Sequence, residues 1–240
     1  MLRGEILPAL LGGIVTVRLI RQSKEHPATQ DTRGNAAVNT KPFWEQAYQD
    51  IHGATFSGGK ASREFRKLAP LLSDGARVLD LGCGDGRNAL FMAEHGCNVT
   101  AVDISAAGIA KVQYLAGEKG VSITTHVQDV REFRFKDNFD VIICHGCLHF
   151  IERPQWQRLL NDFKAHTTPG GFNVITVFTN ALSPPDDLKE LCVGLFKEGE
   201  LYDYYADWET FHKESYVLKD QHPHSPPHQH PINKLVARKL

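Results

Sequence analysis

Val78-Leu79-Asp80-Leu81-Gly82-Cys83-Gly84-Asp85-Gly86-Arg87-Asn88 is the stretch that decides the fold of this 240-residue chain. A short apolar run closes on an acid and enters a loop with glycine at every second position. A helical stretch follows, closed by Gly96, and a second apolar run, Asn98-Val99-Thr100-Ala101-Val102, closes on a second acid, Asp103. Strand, glycine loop, helix, strand and acid make one βαβ unit shaped to hold a nucleotide-like ligand. The glycines let the backbone turn sharply and approach a ligand closely. The helix that follows turns its free N–H groups and positive dipole end to the same point. At the tip of the second strand, the Asp103 carboxylate can accept hydrogen bonds from two vicinal ribose hydroxyls.

Two positions decide which nucleotide. The dinucleotide fingerprint G-x-G-x-x-G requires glycine at its sixth position, where this chain has Arg87. That disfavours an NAD-dependent oxidoreductase. Asp80 stands two residues before the first glycine, and a carboxylate there suits a ligand with a cationic amino group and repels a pyrophosphate. Both features fit S-adenosyl-L-methionine.

The run Leu79 to Asn88 resembles motif I of class I S-adenosylmethionine-dependent methyltransferases, and its Gly86-Arg87-Asn88 ending resembles the tellurite-resistance (TehB-like) family. A second segment, Phe196-Lys197-Glu198-Gly199-Glu200-Leu201-Tyr202-Asp203-Tyr204-Tyr205-Ala206-Asp207-Trp208, is also similar to that family. The resemblance covers about residues 42–240. It implies a Rossmann-like α/β fold: a mostly parallel seven-stranded sheet with its last strand antiparallel and helices on both faces. It implies S-adenosyl-L-methionine as cofactor, held by Asp80, Gly82, Cys83, Gly84, Arg87, Asn88, Asp103 and Ile104. Asp129 matches the acid that receives the adenine amino group, and the backbone N–H of Val130 would serve the ring nitrogen. Tyr48 is the expected contact from a helix that lids the cofactor, with Phe43 and Trp44 as core. Cys144 is expected beside the methyl donor.

Charge and composition exclude several classes. With 27 Lys and Arg against 28 Asp and Glu the chain carries a formal charge of −1, which gives no general pull towards nucleic acid or an anionic membrane. No basic stripe is present, and no Asn-Pro-Pro-Tyr-type sequence follows the fourth strand, so nucleic acid is not an expected substrate. Five cysteines, odd in number and scattered, point to a reducing, cytoplasmic setting. Residues 1–41 read as an extension and linker. Ile6 to Val17 is apolar and 12 residues long, against the roughly 20 that span a bilayer. A loosely ordered or surface-packed extension is favoured over a peripheral anchor. The partners expected are a small-molecule substrate and, at most, a second copy of the chain, as monomer or homodimer.

Local signals order the rest of the methyltransferase domain, 42–240. Helices are expected from Pro42, over Ala61 to Leu72, over Arg87 to His95, over Ala106 to Lys119 with Ser105 as N-cap and Gly120 as stop, and from Pro154 to about His166. Asp186-Asp187 can start a short helix. Strands are expected at Ser122 to Val127, Phe139 to Cys144, Phe172 to Phe178 after the turn Pro169-Gly170-Gly171, a sixth after the segment ending at Trp208, and Ile232 to Lys239. The fourth strand delivers Cys144-His145-Gly146-Cys147-Leu148-His149-Phe150 to the ligand edge of the sheet. No second Cys pair lies at a zinc-site spacing, so no metal is assigned there. His145 or His149 could remove a proton if the acceptor carries one. Between the last strands His222, His224, His228 and His230 fall within nine residues, in a proline-stiffened hairpin. His228 and His230 share one face of an extended chain and are expected at the active site, where such a cluster can bind a metal or recognise an oxyanion when protonated. The best-known family members carry a His-Arg pair where Lys219-Asp220 aligns here.

The expected reaction is in-line transfer of a methyl group to a small soft nucleophile such as a thiolate, selenite or tellurite. Methylation of a small organic metabolite and a binding module without catalysis are the alternatives.

Overall fold

The structure, a computed structural model, describes residues 43–53, 55, 59–221 and 226–240. The apolar run 6–17, the whole extension 1–41, and His222 and His224 lie outside the described residues. Seven strands form one sheet in the order β3-β2-β1-β4-β5-β7-β6. They are β1 Arg77–Leu81, β2 Asn98–Asp103, β3 Ile123–Val127, β4 Phe139–His145, β5 Thr167–Phe178, β6 Glu209–Asp220 and β7 His228–Arg238. Strands β1 to β5 pair in parallel, whereas β7 runs antiparallel to both β5 and β6. The helices are α1 Phe43–Gln49, α2 Arg63–Leu68, α3 Arg87–Glu94, α4 Ala106–Lys119, α5 Arg153–His166 and α6 Glu200–Tyr204.

The central strands alternate with period two, and each phase fills its own core. Leu79, Ile142, Cys144, Ile175 and Leu235 pack with Trp156, Leu159 and Phe163 of α5. Val78, Val141, Ile143, Val174 and Val236 pack with Phe65 and Leu68 of α2 and with Ala89 and Met92 of α3. Because both faces are covered, the central strands are buried on both sides along most of their length. Asp80, one residue beyond Leu79, therefore turns to the α3 face, and His145 follows Ile143 to the same side.

Ser105 caps α4 as expected: its hydroxyl accepts from the Gly108 N–H at 2.9 Å, and Gly120 closes the helix with φ +67°. Four elements differ from the sequence reading. The helix expected over Ala61 to Leu72 shortens to α2 and a 3-10 turn, Ala69–Leu71, because Pro70 has no N–H to continue the ladder. Pro169-Gly170-Gly171 lies inside β5 as a bulge. Between the pairs Phe139↔Thr167 and Val141↔Phe172, β5 holds three more residues than β4. Residues 186–191 make successive turns rather than a helix, leaving one i+4 bond, from the Cys192 N–H to the Leu188 carbonyl at 2.9 Å. The last strand begins at His228 rather than Ile232, so His228 and His230 sit in the ladder opposite Asp220 and Leu218. Among the described residues, no helix is long and apolar enough to cross a membrane.

Candidate active site

Strand order reverses between β1 and β4, the place in an open parallel sheet where a ligand can enter beyond the strand ends. The glycine loop follows β1 at this switch point. Gly82 holds φ +77° and Gly84 φ +58°, which is the left-handed region. A Cβ at Gly82 would stand 2.6 Å from Cys147 Sγ, and one at Gly84 would stand 2.5 Å from the Tyr48 hydroxyl. Side chains are thus excluded twice over, by backbone conformation and by space. The loop is fixed by Asp103, whose Oδ2 accepts from the Gly84 N–H at 2.7 Å and whose Oδ1 accepts from the Ser105 N–H at 2.8 Å. Ile104 beside it is exposed. Asp85, inside the loop, makes a buried ion pair with Lys111 of α4 at 3.2 Å.

Three observations test whether these residues fit S-adenosyl-L-methionine. Asp80 is 1% exposed, and its Oδ2 has no hydrogen-bond partner. A buried carboxylate oxygen with nothing to accept from is an unsatisfied group that a ligand ammonium would complete. The loop leaves a cradle free of Cβ atoms, and Asp103 retains lone pairs beyond its two N–H bonds for a ribose diol. The donor set fits the cofactor. Tyr48 of α1 lies across the loop, and Trp44 on the same helix packs against Phe150 at 4.9 Å. Helix α1 therefore spans the site from the glycine loop to the segment after β4, as a lid would. Burial, then the charges of Asp103 and Asp85, raise the Tyr48 hydroxyl and keep it protonated.

Burial, and then the neighbouring Asp103 charge, push the Asp80 carboxyl up to about 7, against the pull of Arg87 and the Ala89 N–H. Below that pH an incoming ammonium must expel a proton. The affinity for S-adenosylhomocysteine is therefore expected to fall about tenfold per pH unit below roughly 7 and to level off above it. Calorimetric titration between about pH 5.5 and 8.5 checks this. The Asp80→Asn variant should bind more weakly at the upper end with a flat profile, and a flat profile in the unaltered protein would refute the assignment.

Asp129 follows β3 and uses its carboxylate to grip Arg131, whose Nε lies 3.0 Å from Oδ1 and 2.8 Å from Oδ2. Its expected contact with an adenine amino group would share that carboxylate. Val130 is buried in the α5-side core. Cys144 is fully buried; its side-chain hydrogen bond with Cys147, then burial, raise its thiol well above the usual range. Burial likewise raises Cys83. All five cysteines are free thiols.

The residues after β4 gather polar groups from distant parts of the chain. His145 Nδ1 faces the Arg87 guanidinium at 3.2 Å, and its Nε2 meets the Ser62 hydroxyl at 3.0 Å and Glu64 Oε1 at 3.6 Å. Arginine only donates, so Nδ1 is the acceptor and the neutral ring carries its proton on Nε2. Glu64 also receives Lys234 of β7 at 3.1 Å. Burial would raise the Glu64 carboxyl, but the His145 hydrogen bond and the charges of His145 and Lys234 outweigh it and bring it down to about 2. Burial lowers His145 despite that carboxylate. Asn88 accepts from the Ser62 N–H at 3.3 Å, which ties α3 to the start of α2.

His149 sits in a 3-10 turn, Leu148–Phe150, and is fully buried. Its Nδ1 accepts from the Phe178 N–H at 3.2 Å, so the neutral ring carries its proton on Nε2, a buried atom with no hydrogen-bond partner. Burial, then His230 and His145, bring it down to about 3. These contacts bear on the expectation that His145 or His149 removes a proton: in this arrangement each ring already uses one nitrogen as an acceptor. Each ring has its acceptor nitrogen engaged and its other nitrogen protonated, so both are donors at neutral pH. Phe178 stacks on His149 at 3.9 Å and on His230 at 4.3 Å, and His228 meets His230 edge-on at 4.7 Å. One column of rings thus joins the segment after β4 to the β6–β7 ribbon.

Sequence reasoning missed Glu64, Ser62, Lys234 and the Asp85–Lys111 pair. Lys234 lies 170 residues from Glu64, and no local pattern marks that pairing. A lysine one turn after Gly108, among the small and apolar positions of α4, was the one visible sign of a buried pair.

A family model described as "Tellurite resistance protein TehB" matches residues 59–221. Among curated proteins the chain is 30% identical over 207 residues to "Hemagglutinin 1" of Eikenella corrodens, covering 85% of this chain and 65% of that protein. It is 34% identical over 134 residues to the "Probable S-adenosyl-L-methionine-dependent methyltransferase TehB" of Haemophilus influenzae, covering 55% of this chain and 46% of that protein. The chain thus spans about half to two thirds of the length of these relatives. The crystal structure of TehB from Haemophilus influenzae superposes with a TM-score of 0.68 and 25% identity, over 77% of this chain and 64% of that one.

Proposed function

The chain belongs to the TehB family of S-adenosylmethionine-dependent methyltransferases, and from that premise we propose that it transfers a methyl group to a small soft nucleophile that arrives already anionic, a thiolate or a selenite- or tellurite-type oxyanion. The observation that supports this reading is the hydrogen bonding after β4, where the Phe178 N–H occupies His149 Nδ1 and Arg87 faces His145 Nδ1. His149 offers a buried Nε2–H, Arg87 offers a guanidinium, and neither histidine is placed to take a proton. A neutral hydroxyl or amine acceptor would need a base there, whereas an anion needs only donors to orient it.

S-adenosyl-L-methionine supplies the electrophilic methyl group when bound. This chain's own part is alignment and exclusion of water. Asp80 and Asp103 hold the two polar ends of the cofactor, the glycine loop admits it, and Tyr48 with Trp44 closes the open side. Arg87, held by His145, and His149 present donors to the acceptor.

Release of S-adenosylhomocysteine, followed by mass spectrometry over a panel of tellurite, selenite, small thiols, halides and phenolic acceptors, tests the proposal. Turnover is expected with an anionic soft acceptor. Turnover with phenols alone would replace this reading with a small organic metabolite, and silence across the panel with cofactor bound would favour a non-catalytic binding module.

A further inference from the structure

The β6–β7 ribbon places Asp220 directly opposite His228, and His230 two residues further along β7, on the same face as His228. One ligand atom from each of the three lies within 4.8 Å of the others, and His230 Nε2 stands 4.0 Å from Asp220 Oδ2. We propose that Asp220, His228 and His230 form a binding site for a divalent transition metal of the zinc class, independent of the identity of the methyl acceptor.

Two imidazoles and one carboxylate are a donor set suited to zinc and its neighbours, and unsuited to calcium or magnesium. The supporting contacts already point the right way. His228 Nδ1 donates to the Pro226 carbonyl at 2.9 Å, which fixes the tautomer that carries the lone pair on Nε2. Asp220 Oδ1 accepts from the Gln221 N–H at 2.8 Å, which orients its carboxylate, with Oδ2 on the His230 side. His230 is held rigid by its stack on Phe178. Bonds of about 2.0–2.1 Å in a tetrahedral shell need ligand atoms roughly 3.3 Å apart. The half-exposed Asp220 and His228 must therefore close in by about an ångström on a fixed His230. Three protein ligands leave a fourth position for water or an anion, the pattern of a reactive rather than a purely structural zinc site. The sequence reading leaves metal and oxyanion both open for these histidines and names no ligand set. The cluster exists only once the hairpin brings Asp220 back across eight residues to His228.

The test is calorimetric titration of chelator-treated full-length protein with Zn²⁺ alone, repeated with Co²⁺ under visible absorption. One equivalent is expected, and the cobalt spectrum should show d–d bands without the intense thiolate charge-transfer band that the five cysteines would give. Asp220→Asn and His228→Ala should each weaken binding at least about 100-fold while S-adenosylhomocysteine still binds, which certifies the fold. A His222→Ala/His224→Ala variant should keep the stoichiometric site. Absence of binding, a thiolate band, or binding that survives in Asp220→Asn and His228→Ala would overturn the proposal.

Discussion

Replacing Lys111 by methionine is expected to destabilise the protein by roughly 3–5 kcal/mol. Lys111 is 1% exposed and Asp85 3% exposed, and their ion pair spans 3.2 Å. Methionine fills a similar volume, so packing loss is minor and the cost is electrostatic: an ammonium facing a buried carboxylate disappears while the carboxylate remains. A shift of roughly 6–20 °C in the midpoint of thermal unfolding follows from that range for a domain of this size. The double variant Asp85→Asn/Lys111→Met should recover part of the loss, because neither charge is then buried alone. Asp85 lies between Gly84 and Gly86, so the single variant should also loosen the loop and weaken S-adenosylhomocysteine binding in the protein that remains folded. A midpoint that moves by less than about 2 °C would show that the pair does not hold the loop to α4.

Asp103→Ala is expected to raise the dissociation constant for S-adenosylhomocysteine at least about 100-fold, or roughly 3 kcal/mol and upward. A hydrogen bond to a charged group contributes about 1.5–3 kcal/mol, and the ribose diol would lose two. The variant also removes the acceptor for the Gly84 and Ser105 N–H groups, so part of the effect is a loop that no longer presents its cradle. Burial raises the Asp103 carboxyl even though those N–H bonds favour its ionised form, so the site holds this charge at a cost that ligand hydroxyls would offset. Calorimetry, with thermal unfolding as the fold control, reads the effect. Asp103→Glu should restore little, since one extra methylene displaces the carboxylate from both N–H groups. A change below about threefold would remove Asp103 from the cofactor site.

The cofactor side was readable because its determinants are local. Asp80, the glycines, Asp103 and the Ser105 cap lie within 26 residues, and each has a backbone or charge reason that a short window reveals. The sheet was readable for the same cause, as apolar runs punctuated by glycine and acid. The acceptor side was not. His145 and His149 were visible as residues, yet their tautomers depend on Arg87, Ser62 and the Phe178 N–H, which only the folded sheet brings to them. Glu64 and Lys234 meet across the whole chain. Misplaced boundaries have equally plain causes. Pro70 shortened a helix that apolar spacing extended, and the prolines that marked a loose hairpin did not prevent pairing as far as His228, because Pro231 sits opposite Val217 in the ladder.

The split between a contiguous cradle and a scattered polar cluster beside it bears on how such a protein diversifies. One short cassette can be inherited intact while the polar cluster beside it, assembled from α2, the turn after β4 and the far ribbon, drifts one position at a time. Selection for a new acceptor therefore need never pass through a variant that has lost its methyl donor. Chains that share the cassette, Arg87 included, can keep one ligand cradle and differ in the groups that other elements bring beside it.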